Sequence, residues 1–238
     1  MAAVKDFFKE KQSHYFKFAA LILLFLLLAF DQNLSMTYML IMIADFIWFN
    51  TDRKIELPLR TGRNKGYMWL IESAAALGLF LITSTVLVGL FEPQAIGAGF
   101  VGGAQSIFQL LATSTPILQG SAFLTLLAWG ILVPIIETSF FNGRLLEGLT
   151  TYAENFLGIK ISLNKYSAPL LIVIFIVATI FTLFHITAKG IDSLPLIITF
   201  VFSVISSILV LRHRETAGAI LLHIATNSMA VSSALGWL

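Results

Sequence analysis

Long runs of apolar residues alternate along the chain with short polar segments. A helix of about 20 apolar residues is long enough to cross the roughly 30 Å hydrocarbon core of a bilayer. The pattern predicts seven membrane-spanning helices, at residues 17–31, 35–50, 67–90, 119–141, 168–188, 194–211 and 216–236. Residues 98–117 form another apolar stretch, interrupted by Gln105 and Gln109, which the pattern leaves open as an eighth span. The predicted fold class is therefore an all-α, polytopic membrane helix bundle of about seven to eight transmembrane helices.

The composition agrees with a chain whose surroundings are mostly lipid. Of 238 residues, 58% are hydrophobic and 12% are charged, and the mean hydropathy is +0.89. Soluble domains carry about 25% charged residues, so an ordinary soluble enzyme and a disordered chain are excluded. A net charge of +2 provides little basic surface for phosphates, and no nucleic-acid partner is expected. The absence of cysteine excludes disulfides and thiolate metal sites, and we expect a single integral-membrane domain over residues 1–238.

The basic residues predict how the bundle is oriented. With seven spans and a cytoplasmic N-terminus, every Lys and Arg except Lys189 lies on the inner side of the membrane. Treating 98–117 as a full span would move Arg144 and four later basic residues outside, so the charge rule favours an interfacial or re-entrant segment there. We therefore predict a multi-pass membrane protein with a cytoplasmic N-terminus. The loop 51–66, which has five basic residues, is predicted to be an inner-leaflet anchor.

Ionisable residues inside membrane spans cost free energy, so each is a functional hypothesis by default. Two of them, Asp45 and Glu72, lie close to the basic loop 51–66. For both, a structural role is favoured, either reaching the headgroups or pairing inside the bundle. The other three are Glu137, His185 and His223.

These three, together with a nearby amide, are the residue types of a hydrolytic site. Pro134 precedes Glu137 by about one turn and loosens that helix, and His223 and Asn227 share one face of theirs. A carboxylate can act as a general base, an imidazole can share a proton or orient water, and imidazole and amide N–H groups can hold an oxyanion. The residues alone leave open both a hydrolytic site that includes His185 and structural pairing of buried polar groups.

Two spaced pairs in the later membrane helices resemble signatures of a known family. Phe181 and His185 reproduce a Phe-x-x-x-His motif, and His223 and Asn227 reproduce a His-x-x-x-Asn motif, in that order. Over residues 119–236, the chain resembles the CPBP family of CAAX-type prenyl endopeptidases and bacteriocin-processing intramembrane proteases. The resemblance implies an intramembrane protease, a hydrolase that cuts a peptide bond of a membrane-associated peptide or protein substrate.

The resemblance also implies roles for four residues. In the family, the first glutamate and the first histidine are thought to activate water, and the second histidine and the asparagine to hold the oxyanion. Carried over, these roles fall on Glu137 and His185, and on His223 and Asn227, respectively. No cofactor is favoured; if a divalent metal is used, it would be zinc held by Glu137, His185 and His223.

The first family signature, Glu-Glu-x-x-x-Arg, is only partly present. Thr138 occupies the position of the second glutamate, and Asn142 that of the arginine. An alternative is therefore a catalytically inactive family member that acts as an immunity or partner-binding membrane protein. A more distant alternative is a small transporter that uses the same groups as a proton relay, although no internal repeat is visible.

A simple topology conflicts with a shared site. It places Glu137 toward the inner end of its helix and His185 toward the outer end of its own. The two can meet only if the helix of Glu137 continues to about residue 149, or if the helix of His185 is short and tilted. The stretch 144–165 would then be an amphipathic surface helix.

Overall fold

The computed structural model describes residues 68–91, 107–109, 121–156, 158, 167–186, 193–213 and 216–237. Apart from one helical turn at 107–109, the helices in this part of the chain are α1 (Met68–Phe91), α2, α3 (Ala168–Phe184), α4 (Ser193–His213) and α5 (Ala217–Ala234). Helix α2 is continuous over five segments: Ala122–Thr125, Leu126–Leu132, Val133–Thr138, Ser139–Leu145 and Leu146–Phe156.

The all-α membrane fold predicted from the apolar runs is confirmed. No strand occurs in the ranges given above, and three helices are long and apolar enough to cross a bilayer: Leu70–Phe91, Ala122–Glu154 and Leu194–His213. Ala168–Phe184 is apolar but shorter. The predicted spans 17–31 and 35–50, most of 98–117 and the loop 51–66 lie outside the described residues.

Helix α2 is longer than the span predicted for it. It continues past residue 149 to Phe156, which is one of the two conditions under which the motifs could share a site. At a rise of about 1.5 Å per residue, Glu137 lies roughly 20–30 Å from each end of the helix. Helix α3 has 17 residues and ends immediately before His185. The helix that carries Glu137 is long, and the helix that ends at His185 is short. The two side chains can therefore lie at the same depth in the bundle, which removes the conflict in the simple topology.

Helix α5 packs antiparallel against α2 through small side chains. Thr216, just before α5, lies beside Gly143, and Ser228, toward the end of α5, lies beside Gly130. Between these two contacts, His223 faces the middle of α2. Small residues at these contacts let the helices approach closely.

A buried aromatic cluster fills the space where α2, α3 and α4 meet. Phe141 packs edge-to-face against Phe181, with ring centroids 5.1 Å apart, and against Phe184 at 4.9 Å. Phe80 from α1 contacts Phe202 from α4 in the same manner at 5.6 Å. These rings surround the buried end of α3 with apolar surface.

Glu72 pairs with the end of α4 at the margin of the bundle, where the Arg212 side chain is 60% exposed. Its Oε2 atom lies 2.6 Å from Arg212 Nε and 2.8 Å from His213 Nε2. Of the two structural roles expected for this glutamate, pairing is therefore the one observed, whereas Asp45 lies outside the described residues. The contact places the start of α1 and the end of α4 on the same side of the bundle, as the seven-span topology requires.

Gly130 marks a close approach between α2 and α5, which makes its replacement a test of this packing. A Cβ atom at this position would lie 2.9 Å from Leu126 Cδ1 and 3.0 Å from Ser228 Oγ. Because the Leu126 side chain must move and Ser228 must shift slightly, we expect Gly130→Ala to lower the free energy of unfolding by about 1–3 kcal/mol. Gly78→Ala in α1, where a Cβ would meet nothing within 4 Å, is the control. We expect it to be neutral or stabilising by up to about 1 kcal/mol.

Unfolding of the purified chain by heat or denaturing detergent, in one lipid environment, measures both variants. Equal responses of Gly130→Ala and Gly78→Ala would show that the α2–α5 contact is not tight.

Candidate active site

Three ionisable side chains from three different parts of the fold converge. The Oε2 atom of Glu137, on α2, lies 3.8 Å from Nε2 of His185 and 3.7 Å from Nε2 of His223. His185 follows the end of α3, and His223 lies on α5. Glu137 is 7% exposed and His223 is 4% exposed. These nitrogen–oxygen separations are longer than direct hydrogen bonds and are in the range where a bridging water is to be considered.

The backbone around the end of α3 fixes the ring of His185. The residue has φ −88° and ψ −3°, and its N–H donates to the carbonyl of Thr182 at 2.9 Å. Its ring nitrogen Nδ1 lies 2.7 Å from the carbonyl oxygen of Phe181. Because a carbonyl only accepts hydrogen bonds, Nδ1 must carry the hydrogen. In the neutral ring, the nitrogen that faces Glu137 is then the unprotonated one.

Thr138 holds the ring of His223. Its Oγ1 lies 2.9 Å from His223 Nδ1, and the threonine is completely buried. A hydroxyl can donate or accept a hydrogen bond, so this contact allows either hydrogen position on the ring. When Thr138 donates, Nε2 of His223 carries the hydrogen and presents a donor toward Glu137.

Phe181 contacts both imidazoles. Its ring centroid lies 4.4 Å from that of His185 and 6.1 Å from that of His223. Phe202 lies 4.7 Å from the ring of His223. The phenylalanine of the Phe-x-x-x-His pair therefore positions the following histidine through its carbonyl and packs against the other histidine through its ring.

Asn227 lies one turn after His223 and is anchored to α2. Its Nδ2 donates to the carbonyl of Trp129 at 3.2 Å, and Oγ of Ser228 donates to the carbonyl of Gly130 at 3.2 Å. A cavity of about 30 Å³, enough for one water molecule, adjoins this residue. The cavity is lined by Phe80, Phe181, His185, Ile198, Thr199, Phe202, His223, Thr226 and Asn227.

Residues 119–229 match the family model described as Type II CAAX prenyl endopeptidase Rce1-like. The match supports the recognition of this part of the chain as similar to the CPBP family. The match confirms the resemblance read from the two motifs, and it includes Glu137, His185, His223 and Asn227. CPBP members of this type are proteases. No curated protein and no solved structure matches the chain significantly.

The two departures from the first CPBP signature, Thr138 and Asn142, both form hydrogen bonds inside the bundle. Asn142 is completely buried, and its Nδ2 donates to Ser207 Oγ at 2.9 Å and to the carbonyl of Ser203 at 3.3 Å. Thr138 contacts His223, as described above. One acidic and one basic residue of the CPBP signature are thus replaced together, so no single charge is left behind in the bundle.

Helix α2 changes its hydrogen-bonding pattern on both sides of the glutamate. The segments Leu126–Leu132 and Ser139–Leu145 are π-helical, and Val133–Thr138 between them is α-helical. Pro134 lies in the first turn of this α-helical segment. π-Helical turns are rare in proteins, and those that occur are often at functional sites. Here they flank the segment that carries Glu137 and Thr138.

The arrangement also bears on metal binding. Two imidazoles and a carboxylate are suitable donor types for zinc. Within the part of the chain that the structure describes, however, no group of three or more His, Cys, Asp or Glu side chains is arranged to hold a metal ion.

The sequence does not predict the contacts of Thr138 and of the Trp129 carbonyl. In the sequence, Thr138 is visible only as a departure from the CPBP signature, and its position next to Glu137 is the available signal. The carbonyl of Trp129 has no signature of its own, because every residue has a carbonyl. The available signal was Pro134, five residues later, since proline supplies no N–H.

Proposed function

We propose that this chain is an intramembrane endopeptidase of the CPBP type that hydrolyses a peptide bond of a membrane-associated substrate. The observation that carries the proposal is the convergence of the Glu137 carboxylate with Nε2 of both His185 and His223. The proposal includes a multi-pass topology with a cytoplasmic N-terminus, which the distribution of basic residues favours.

Glu137 and His185 would activate the attacking water. Glu137 accepts a proton from water while the water oxygen bonds to the carbonyl carbon of the substrate, and the carbonyl electrons move to its oxygen. The unprotonated Nε2 of His185, 3.8 Å from the carboxylate, can orient the water or share the proton. Glu137 then returns the proton to the leaving nitrogen as the carbon–nitrogen bond breaks. No metal takes part in this mechanism.

His223 and Asn227 would stabilise the oxyanion of the tetrahedral intermediate. With Thr138 donating to Nδ1, His223 presents an Nε2–H group, and Asn227 provides an amide N–H. Each such donor accounts for roughly 100- to 1,000-fold in rate in other hydrolases. Phe181 and Phe202 surround the histidines with apolar surface, which strengthens these electrostatic interactions.

The alternative is an inactive family member that acts as an immunity or partner-binding protein. It is favoured by Thr138 and Asn142, which replace two residues of the CPBP signature. Both residues are buried away from bulk solvent, and Thr138 still holds His223. We therefore favour activity, since Glu137 still lies near both His185 and His223 with Thr138 and Asn142 in these positions.

The test is proteolysis by the full chain in lipid nanodiscs. One substrate is an internally quenched peptide that ends in a farnesylated Cys-aliphatic-aliphatic-X sequence, and the others are unprenylated membrane-anchored peptides. We expect the wild type to cleave at least one of them and His223→Ala to lower kcat by about 100- to 1,000-fold. His213→Ala is the control, because His213 is also buried but pairs with Glu72 away from the site. It should stay within a few-fold of wild type.

Each arm has an outcome that contradicts part of the proposal. Equal cleavage by wild type and His223→Ala would rule out the proposed site. No cleavage by wild type over the whole panel would support the alternative function. Inhibition by 1,10-phenanthroline that added zinc reverses would contradict metal-free catalysis.

A further inference from the structure

We infer that Pro134 is a positioning residue, which orients the Asn227 amide by leaving the Trp129 carbonyl without a donor from its own helix. This inference rests on the proposed role of Asn227 in holding the oxyanion. It explains why the N–H₂ end of the Asn227 amide, and not its C=O end, is available at the site.

The backbone pattern of α2 explains why proline matters at this position. The N–H of Val133 donates to the carbonyl of Ala128, five residues earlier, as in a π-helix. The next bond of that pattern would run from residue 134 to the carbonyl of Trp129. In an α-helix, residue 134 would instead donate to Gly130. Pro134 has no N–H, so it can serve neither carbonyl.

Helix α5 supplies donors to both of these carbonyls. Nδ2 of Asn227 donates to Trp129, and Oγ of Ser228 donates to Gly130, each at 3.2 Å. Gly130 has no side chain to keep α5 away, since a Cβ there would lie 3.0 Å from Ser228 Oγ. The donors lost from α2 are therefore replaced by consecutive residues of α5.

This bond fixes which way the Asn227 amide faces. An asparagine side chain has an N–H₂ end and a C=O end, and only the N–H₂ end can pair with a carbonyl. One N–H of Nδ2 goes to Trp129, which leaves the other N–H of the same nitrogen for the cavity that Asn227 lines. A flipped amide would bring two carbonyl oxygens together, which is unfavourable. The Trp129 carbonyl thereby selects the orientation that can stabilise an oxyanion.

A double-mutant cycle in thermal unfolding tests the coupling without relying on activity. Pro134→Ala supplies the missing N–H and is also a better helix former, so the variant is expected to fold. In the wild-type background, Asn227→Ala leaves the partly buried Trp129 carbonyl unpaired and should lower the unfolding temperature by a few degrees. In the Pro134→Ala background, α2 can itself donate to the Trp129 carbonyl. Asn227→Ala should then lower the unfolding temperature by less than half as much.

Pro169→Ala is the matched control for this cycle. Pro169 lies in the first turn of α3, where an N–H would have no partner within the helix in any case. The effect of Asn227→Ala should therefore be the same with and without Pro169→Ala. Additive shifts for Pro134→Ala and Asn227→Ala would overturn the inference.

Kinetics separates a positioning role from a merely structural one. With the quenched farnesylated peptide, we expect Pro134→Ala to lower kcat about tenfold with KM unchanged, less than the roughly 100-fold for removing an oxyanion donor. Added to Asn227→Ala, Pro134→Ala should have no further effect on kcat. A normal kcat for Pro134→Ala, together with a lowered kcat for Asn227→Ala, would overturn this inference but not the proposed function. Full activity of Asn227→Ala would instead contradict the proposed function, and the thermal cycle would still report the coupling.

Discussion

Glu137→Gln is expected to lower kcat for peptide cleavage by about 10⁴-fold, the upper range for loss of a general base. Glutamine has the size and shape of glutamate, so the buried position should remain filled. Its amide cannot take a proton from water at neutral pH, and its Oε atom cannot return one to the leaving nitrogen. The contacts to His185 and His223 keep their geometry, whereas the base is lost.

The matched control is Glu147→Gln, a change of the same kind ten residues further along α2. Glu147 is exposed and lies in the segment Leu146–Phe156. We expect the kcat of Glu147→Gln to stay within about twofold of wild type, because surface substitutions away from the core and the site usually have small effects. Initial rates over a range of peptide concentrations in nanodiscs give kcat and KM for both variants. Equal rates for Glu137→Gln and Glu147→Gln would exclude the carboxylate at 137 as the base.

Restoring one residue of the CPBP signature at a time is expected to unfold much of the protein. Thr138 and Asn142 are both completely buried. Thr138→Glu would bury a carboxylate, and Asn142→Arg would bury a guanidinium, each without an opposite charge supplied by the substitution. An uncompensated buried charge costs about 3–5 kcal/mol, which is a large part of the total stability of most proteins. Each single variant should therefore lose several kcal/mol in free energy of unfolding.

The double variant, Thr138→Glu with Asn142→Arg, should recover most of that loss. The two positions are four residues apart on α2, close enough for an ion pair. The guanidinium would also meet acceptors, since the Ser203 carbonyl and Ser207 Oγ already accept hydrogen bonds from the side chain at position 142. Denaturing-detergent titration of all four proteins gives the coupling energy. Additive losses in the double variant would show that these positions do not act as a pair.

The convergence of the site was predictable because its motifs encode side-chain chemistry. The His-x-x-x-Asn pair placed His223 and Asn227 on one helix face, and the requirement for a common site predicted a longer α2. The end of α2 was not visible in the apolar pattern, which stops near Asn142, Gly143 and Arg144. The helix continues because its next turn, at Leu145 and Leu146, is buried against the rest of the bundle.

Most of the supporting contacts could not be predicted because they depend on main-chain groups or on packing between helices that are distant in the chain. The carbonyls of Phe181 and Trp129 orient His185 and Asn227, yet any residue type has a carbonyl. Asn142 finds its partners on α4, sixty-one and sixty-five residues later in the chain. Only the packing of α4 against α2 brings them together.

The different partners of the two histidines make one half of the site more tolerant of mutation than the other. Nδ1 of His185 is held by a main-chain oxygen, which no side-chain replacement at Phe181 would remove. Nδ1 of His223 is held by the Thr138 side chain, so a single codon change can alter the hydrogen position on that ring. Evolutionary variation at position 138 can thus adjust the hydrogen position on His223, which is proposed to hold the oxyanion, while His185, which is proposed to help activate water, keeps its hydrogen arrangement.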